Sequence, residues 1–201
     1  MLKLHGTSKS RSARSLWAIE EIGVKYEHVP TEVAKAKSPE NLKLNPNGHI
    51  PVLEDDGLVM WESMAINLYL AVKYGKPPFC PDTVERRAEG LKWSFFGITE
   101  IEPHLMAVLM QRVFLPADQR DEKAGQKAAD ALKGPLKVLD NQLTGREYLL
   151  GNDFTIGDLN VAAVLSYAGL GKIDFSATPN TDAWLKRCLG REANLRVRKL
   201  A

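Results

Sequence analysis

Three short stretches of this chain carry residue types that could act together on a ligand. In Asn45-Pro46-Asn47-Gly48-His49-Ile50-Pro51, a turn from Asn45 to Gly48 delivers the chain to an X-Pro bond, the one kind of peptide bond that readily adopts cis. A cis proline at a strand start leaves the N–H and C=O of the preceding residue, Ile50, facing outward, free to pair with an extended ligand. Eleven residues beyond Pro51, Glu62-Ser63 opens a helix. Backbone N–H groups at a helix start attract a carboxylate, and Ser63 adds a hydroxyl. The third stretch is a run of hydroxyls near the N-terminus: Thr7, Ser8, Ser10, Ser12 and Ser15. An extended edge beside an anion-binding helix start suits a small acidic peptide.

The surrounding pattern supplies the elements that must position these residues. Leu2 and Leu4 alternate with polar neighbours, as in a short strand. Ala13, Leu16, Trp17 and Ile19 then fit one face of a helix that ends at Gly23. Tyr26 to Val29 reads as a second strand and Pro39 to Leu44 as a short helix or irregular loop. Val52-Leu53 and Leu58-Val59-Met60, joined by the turn Glu54-Asp55-Asp56-Gly57, read as a hairpin ahead of the helix at Glu62. The order βαβ then ββα requires a parallel pair followed by an antiparallel addition, the plan of a thioredoxin-like domain. Gly75-Lys76-Pro77-Pro78-Phe79-Cys80-Pro81 reads as a linker.

Beyond the linker, β-branched alternation gives way to long helical stretches, approximately 84–114, 123–143 and 156–170. Phe154-Thr155-Ile156-Gly157-Asp158-Leu159 carries a capping box, Thr155 with Asp158, and a staple of Phe154 on Leu159. Val161 to Leu165 is apolar all round, which predicts a central, buried helix. The fold class is therefore an α/β N-terminal thioredoxin-like domain plus an all-α C-terminal domain. Boundaries fall at 1–75, a linker at 76–83, and a helical domain at 84–201.

Composition narrows the function classes. Net charge is +2, from 27 basic and 25 acidic residues, which implies no nucleic-acid or other polyanionic partner. Two widely separated cysteines, Cys80 and Cys188, suggest neither a disulfide framework nor a zinc site. The N-terminus lacks the charged-then-apolar pattern of a signal peptide, and no apolar run approaches the ~20 residues of a membrane span. A cytoplasmic location is expected.

The run NPNGHIPVLEDDGLVMWESMAINLYL closely resembles the glutathione-binding segment of cytosolic glutathione transferases. The opening KLHGTSKSRSARSLWAIEEIGVKYEHV resembles the first strand, helix and second strand of that family. YLLGNDFTIGDLNVAAVLSYA resembles its buried C-terminal helix, and PNTDAWLKRCLGREA its closing helices. The resemblance is weakest between about Gly75 and Leu143. It implies a transferase that presents glutathione as its thiolate for attack on a small apolar electrophile, with no metal, in a homodimer. It implies that the helices from Glu62 and Val84 lie near the dimer interface. A binding or scaffold protein on the same fold is the alternative, since fold alone does not decide function.

For that chemistry a thiol of pKa near ~8.5 must be largely ionised at neutral pH. Lowering it by about two units means stabilising the anion by ~2.7 kcal/mol. One hydroxyl hydrogen bond to an anion is worth ~1.5–3 kcal/mol. The donor is expected between the first strand and the first helix. No Tyr or Cys precedes Tyr26, so the resemblance is to the serine-type branch. Alignment from Lys3-Leu4-His5-Gly6 puts Ser10 at the catalytic serine; counting back from Arg14 and Gly23 points to Lys9. Ser10 is favoured, and Ser12, otherwise a helix N-cap, is second. The resemblance further implies that Ile50 pairs its backbone with the cysteinyl unit beside cis-Pro51. Glu62 would take the γ-glutamyl ammonium and Ser63 its carboxylate, with His49 and Lys43 reaching the glycyl carboxylate. The electrophile pocket would draw apolar surface from the helical domain, where Trp93, Phe96, Met106, Met110 and Phe114 are candidates.

Overall fold

The structure is a computed structural model that describes residues 1–200. The chain separates into two compact units, one running from Met1 to Asp82 and taking back the chain from Gly190 onward, the other spanning Thr83–Leu189.

In the first unit a four-stranded sheet has the order β2-β1-β3-β4, with β1 Lys3–Gly6, β2 Glu27–Pro30, β3 Val52–Asp55 and β4 Leu58–Trp61. β1 pairs parallel with β2 and antiparallel with β3, and β3 pairs antiparallel with β4. The parallel pair is joined through helix α1, Ser12–Ile22, as a parallel connection requires. Gly23 ends α1 in the left-handed conformation at φ 75, its N–H bonded to Ile19 O, the conformation that glycine adopts without a Cβ penalty. The short segment Pro39–Leu44 resolves into helix α2, with Ser38 accepting from Asn41 N–H as its cap. The hairpin turns on Asp56 and Gly57, both at positive φ (49 and 90), the signature of a two-residue loop that matches strand twist. Helix α3, Ser63–Tyr74, follows β4.

Leu4, Val52 and Leu53 from the sheet are buried, as are Leu16, Trp17 and Ile19 from α1 and Ile66 and Leu70 from α3. This core holds the ends of β1, α1 and α3 in fixed register. Helix α9, Glu192–Arg198, belongs to the same unit and packs on α1. Glu21 receives both Trp17 Nε1 and Arg191, while Glu20 receives Tyr26 OH at 3.1 Å and Arg196 Nε at 2.8 Å. Burial, with Glu20 close by, pushes the Tyr26 phenol up to about 12, so it stays a donor throughout the physiological range.

The second unit is helical. α4, Val84–Phe96, runs on through a π-helical segment, Gly97–Ile101, into α5, Glu102–Leu109, and then a second π segment, Met110–Phe114. The 84–114 stretch is thus continuously helical but wound unevenly. α6, Glu122–Gln142, begins at Asp121, whose carboxylate accepts from Lys123 and Ala124 N–H. α7, Ile156–Leu165, is buried along its whole length, as its all-round apolarity predicts. It is shorter than the expected 156–170: Ser166 already sits at its C-terminal cap, Ser166 Oγ bonds Ala163 O, and Ala168 N–H closes a turn on Leu165 O. α8, Pro179–Leu189, completes the unit.

The capping box is present, with Asp158 Oδ2 accepting from Thr155 N–H at 3.0 Å and from Thr155 Oγ1 at 2.8 Å. Its other oxygen takes Leu149 N–H and Trp184 Nε1. Burial pushes this carboxyl up, and the four donors act against that. Phe154 sets its ring edgewise on Tyr148 at 5.6 Å.

Candidate functional site

Three segments of the first unit converge at the C-terminal end of β1. Gly6, the last residue of β1, has φ 146. Any Cβ there would meet Ser12 Oγ at 1.9 Å and Ser12 Cβ at 2.4 Å, and would touch Ile50 Cβ at 3.7 Å. Glycine is required because α1 begins directly against this backbone. The same contacts bring Ile50 beside the hydroxyl-rich loop. From the other side, Ser15 Oγ in α1 lies 3.5 Å from Ser63 O, which joins the start of α1 to the start of α3.

Within the loop the hydroxyls are not equivalent. Ser12 is fully buried against Gly6, whereas Ser10 is half-exposed. Ser10 Oγ accepts Ser12 N–H at 3.1 Å, and its own proton has two acceptors in reach, Thr7 O at 2.8 Å and Ser12 Oγ at 3.0 Å. The capping role expected of Ser12 therefore falls to Ser10; Ser12 stands inside the helix, with Arg11 at the position before it and no side-chain cap there. Accepting an N–H polarises the Ser10 hydroxyl and makes it a better donor. Lys9 is exposed. Ser8 Oγ is buried and has no hydrogen-bond partner in the structure.

The Ile50–Pro51 peptide is cis. Pairing of β1 with β3 ends at His5↔Val52, so Ile50 lies beyond the last pair of that ladder. Pro51 is buried, and the His49 side chain is exposed.

At α3, the first intrahelical bond is Ile66 N–H to Glu62 O at 2.9 Å. The N–H groups of Ser63, Met64 and Ala65 precede it and have no carbonyl behind them to accept. Glu62 occupies the cap position without capping by its side chain. It is exposed, and its φ of 73 with ψ of 108 is a backbone conformation that non-glycine residues rarely hold. Ser63 is buried. The far end of α3 is fixed instead. Asp55, at the end of β3, accepts from Tyr69 OH at 2.8 Å, Lys73 Nζ at 2.7 Å and Tyr74 OH at 2.9 Å. Burial opposes ionisation of Asp55, but these donors outweigh it and hold its carboxyl below the usual range. The same contacts raise Lys73.

Lys43 is exposed on the last turn of α2. The lysine found at the turn is Lys37: a Cβ on Gly48 would meet Lys37 Cγ at 2.9 Å, so its stem crosses the backbone next to His49. Sequence reasoning also missed Asn41 and Asn45, both buried behind the Ile50 edge. It missed His28 as well, whose ring nitrogen bonds Gly6 O at 2.9 Å and so fixes the point where the hydroxyl loop departs. Asn45 carried only a turn signal, since an amide turned inward and one turned to water have the same letter.

In the second unit, the apolar residues proposed for an electrophile pocket divide. Trp93 is buried and packs edgewise on Phe96 at 5.3 Å; Phe96 and Met106 are half-buried. Met110 and Phe114, on the second π segment, are exposed. Among the described residues, no group of three or more His, Cys, Asp or Glu side chains could hold a metal ion.

Residues 1–72 match the family described as glutathione S-transferase, N-terminal domain, and residues 100–192 match glutathione S-transferase, C-terminal domain. The chain is 29% identical over 205 residues to glutathione S-transferase GstB of Escherichia coli (strain K12), covering 100% of this chain and 97% of that protein. It is 30% identical to the probable glutathione S-transferase GSTF2 of Oryza sativa subsp. japonica, covering 99% and 96%. Among solved structures it is similar to the theta class glutathione S-transferase of the citrus canker pathogen Xanthomonas axonopodis pv. citri, which has glutathione bound. That likeness has a TM-score of 0.89 and 30% identity, over 100% of this chain and 98% of that one.

Proposed function

The chain belongs to the glutathione S-transferase family and is a glutathione transferase, and we propose that Ser10 is the residue that holds glutathione as its thiolate. The observation that carries this is the position of Ser10 Oγ: half-exposed at the start of α1, accepting Ser12 N–H, with two acceptors in reach of its own proton. Turning that proton from Thr7 O to a sulfur anion exchanges a neutral hydrogen bond for one to a charge, worth ~1.5–3 kcal/mol. The first turn of α1 adds positive potential worth ~0.3–1 kcal/mol.

In the same reading, Ile50 pairs its backbone with the cysteinyl unit beside Pro51. Glu62 takes the γ-glutamyl ammonium, and the open N–H groups and hydroxyl at Ser63 take its carboxylate. His49 receives the glycyl carboxylate, together with Lys37 beside it and Lys43 as the more distant cation. The electrophile is small and apolar, and catalysis comes from thiolate stabilisation and proximity. The same reading places the enzyme in a reducing, cytoplasmic setting, which two cysteines without a disulfide framework suit, and gives it a detoxifying role. A homodimer belongs to the same reading, and sedimentation equilibrium would register it directly.

The deciding experiment follows the ultraviolet thiolate band of bound glutathione against pH in wild type and in Ser10→Ala. Wild type should show a thiol pKa well below ~8.5. The variant should return it toward that value and lose about 10- to 100-fold in kcat with binding retained. A wild-type complex whose thiol is unshifted would refute the proposal, and a shift that survives the substitution would remove Ser10 from it.

A further inference from the structure

The glutathione-binding edge has a built support behind it. Asn45 is buried and uses both ends of its amide: Nδ2 donates to His49 O at 2.9 Å, and Oδ1 accepts Asn47 N–H at 3.0 Å. Its backbone is equally committed, with its N–H on Asn41 O at 2.8 Å and its carbonyl accepting Gly48 N–H at 2.9 Å. Asn41, also buried, donates Nδ2 to Ala36 O at 2.6 Å and reaches the same His49 O at 3.5 Å. Two side-chain amides thus converge on one carbonyl, although the His49 side chain itself is exposed.

That carbonyl belongs to the peptide unit that also carries Ile50 N–H. The unit is trans, since the cis bond lies one residue on, at Ile50–Pro51. In a planar trans peptide the C=O and N–H point in opposite directions. Drawing His49 O inward, onto the amides of Asn45 and Asn41, therefore aims Ile50 N–H outward. We infer that Asn45, backed by Asn41, is a positioning residue that orients the His49–Ile50 peptide plane and so presets the donor that glutathione's cysteinyl carbonyl must meet. This rests on the reading of Ile50 as the residue that pairs with glutathione.

The energetic logic is one of pre-organisation. Without the two amides the plane can rotate, and each ligand that binds must restrict it again. Such a loss acts on binding and leaves the activated thiol alone, because Ser10 lies on a different loop. Asn45 and Asn41 should therefore change KM, where Ser10 changes kcat.

Three variants test this: Asn45→Asp, Asn45→Ala and Asn41→Ala. Asn45→Asp keeps the acceptor for Asn47 N–H and replaces the donor to His49 O with a second acceptor. It should weaken glutathione binding by about tenfold or more, as expected for turning a buried hydrogen bond into a repulsion. Calorimetric Kd and KM should rise together, while kcat at saturation and the thiol pKa of bound glutathione stay at wild-type values. Asn45→Ala should show the same split to a lesser degree, and Asn41→Ala less again, following the 2.9 and 3.5 Å distances. The Ile50 amide resonance should shift in the free variants, in the same rank order. The inference is overturned if wild type binds glutathione but Asn45→Asp binds it equally well. It is equally overturned if the thiol pKa moves with the affinity, or if weakened binding merely tracks melting temperature across the three variants. Absence of glutathione binding in wild type would instead sink the underlying assignment of Ile50.

Discussion

Helices α3 and α7 both begin with a hydroxyl residue and an acid close together, Glu62-Ser63 in one and Thr155 with Asp158 in the other. Only one of them is finished. At α7 the capping box is closed: Asp158 accepts from two backbone N–H groups, one hydroxyl and one indole, and is itself buried. At α3 the acid points to solvent from a rarely held backbone conformation, caps nothing, and leaves the first N–H groups open. The start closed by its capping box is a folding element, and the uncapped start is where an anion can sit. Each helix is fixed somewhere, but α7 is held at its start and α3 at its far end, by Asp55.

The contrast should break most visibly in a pair of alanine substitutions. Asp158→Ala strips the acceptor from four donors, and unfolding by denaturant should register a loss of about 3–5 kcal/mol, the range expected when buried donors lose their partners. Ser63→Ala should cost stability less than ~1 kcal/mol but lower glutathione affinity by about 10- to 100-fold, as one hydrogen bond to a carboxylate is lost. If Ser63→Ala instead unfolded the chain while binding survived, the two helix starts would be alike and the comparison would fail.

The order of these effects also marks what the sequence could reveal. The capping box and the all-round apolarity of α7 follow local rules with fixed spacing, and so do the βαβ–ββα order and the Gly23 stop. Each survives in the structure because the interacting residues are near neighbours in the chain. The cis Pro51 and the turn from Asn45 to Gly48 were legible for the same reason. What stayed hidden is built from contacts between distant segments. Ser10 and Ser12 differ only because Gly6 lets α1 close against β1. Lys37 reaches Gly48 across a turn and a short helix, and the inward amides of Asn41 and Asn45 read as ordinary turn residues. The two π segments between 97 and 114 carry no periodic signal that separates them from α-helix, and α7 stops five residues early where Ser166 turns back on Ala163.

A second, smaller effect tests the far end of α3. The carboxyl of Asp55 is held below its ordinary value by Lys73, Tyr69 and Tyr74 against the opposing effect of burial. A carboxylate whose folded pKa is depressed contributes stability above its unfolded pKa and loses it as pH falls through the folded value. Asp55→Asn should therefore lower stability at neutral pH by about 1–2 kcal/mol, moderated because Lys73 retains Asp56 and water as partners. The difference from wild type should shrink as pH falls below about 4. Asp158 has the opposite sign, since burial pushes its carboxyl up. Its folded pKa lies above the unfolded one, so that contribution is present at low pH and fades as pH rises through the folded value. Melting curves of the two variants across the acid range should diverge accordingly, and parallel curves would contradict the assignment of both shifts.

The smallest effect is also the sharpest, because it should have two signs. Glu62 holds φ 73 and ψ 108 with its side chain in solvent, a conformation that costs a non-glycine residue of order 1–3 kcal/mol. Glycine adopts it freely but gains entropy in the unfolded chain, which offsets about 0.4–1 kcal/mol of the relief. Glu62→Gly should thus raise stability by up to about 1 kcal/mol while weakening glutathione binding several-fold through the lost carboxylate. Glu62→Ala separates the two terms: it removes the carboxylate, keeps the strained backbone, and should match Glu62→Gly in affinity without matching its gain in stability. A stabilised variant that binds less well would mean that the strain is kept at α3 because it aims Glu62 and opens the helix start to the ligand. If Glu62→Gly gains nothing, the backbone at this position is not strained, and the open start of α3 must be explained by its hold on Asp55 alone.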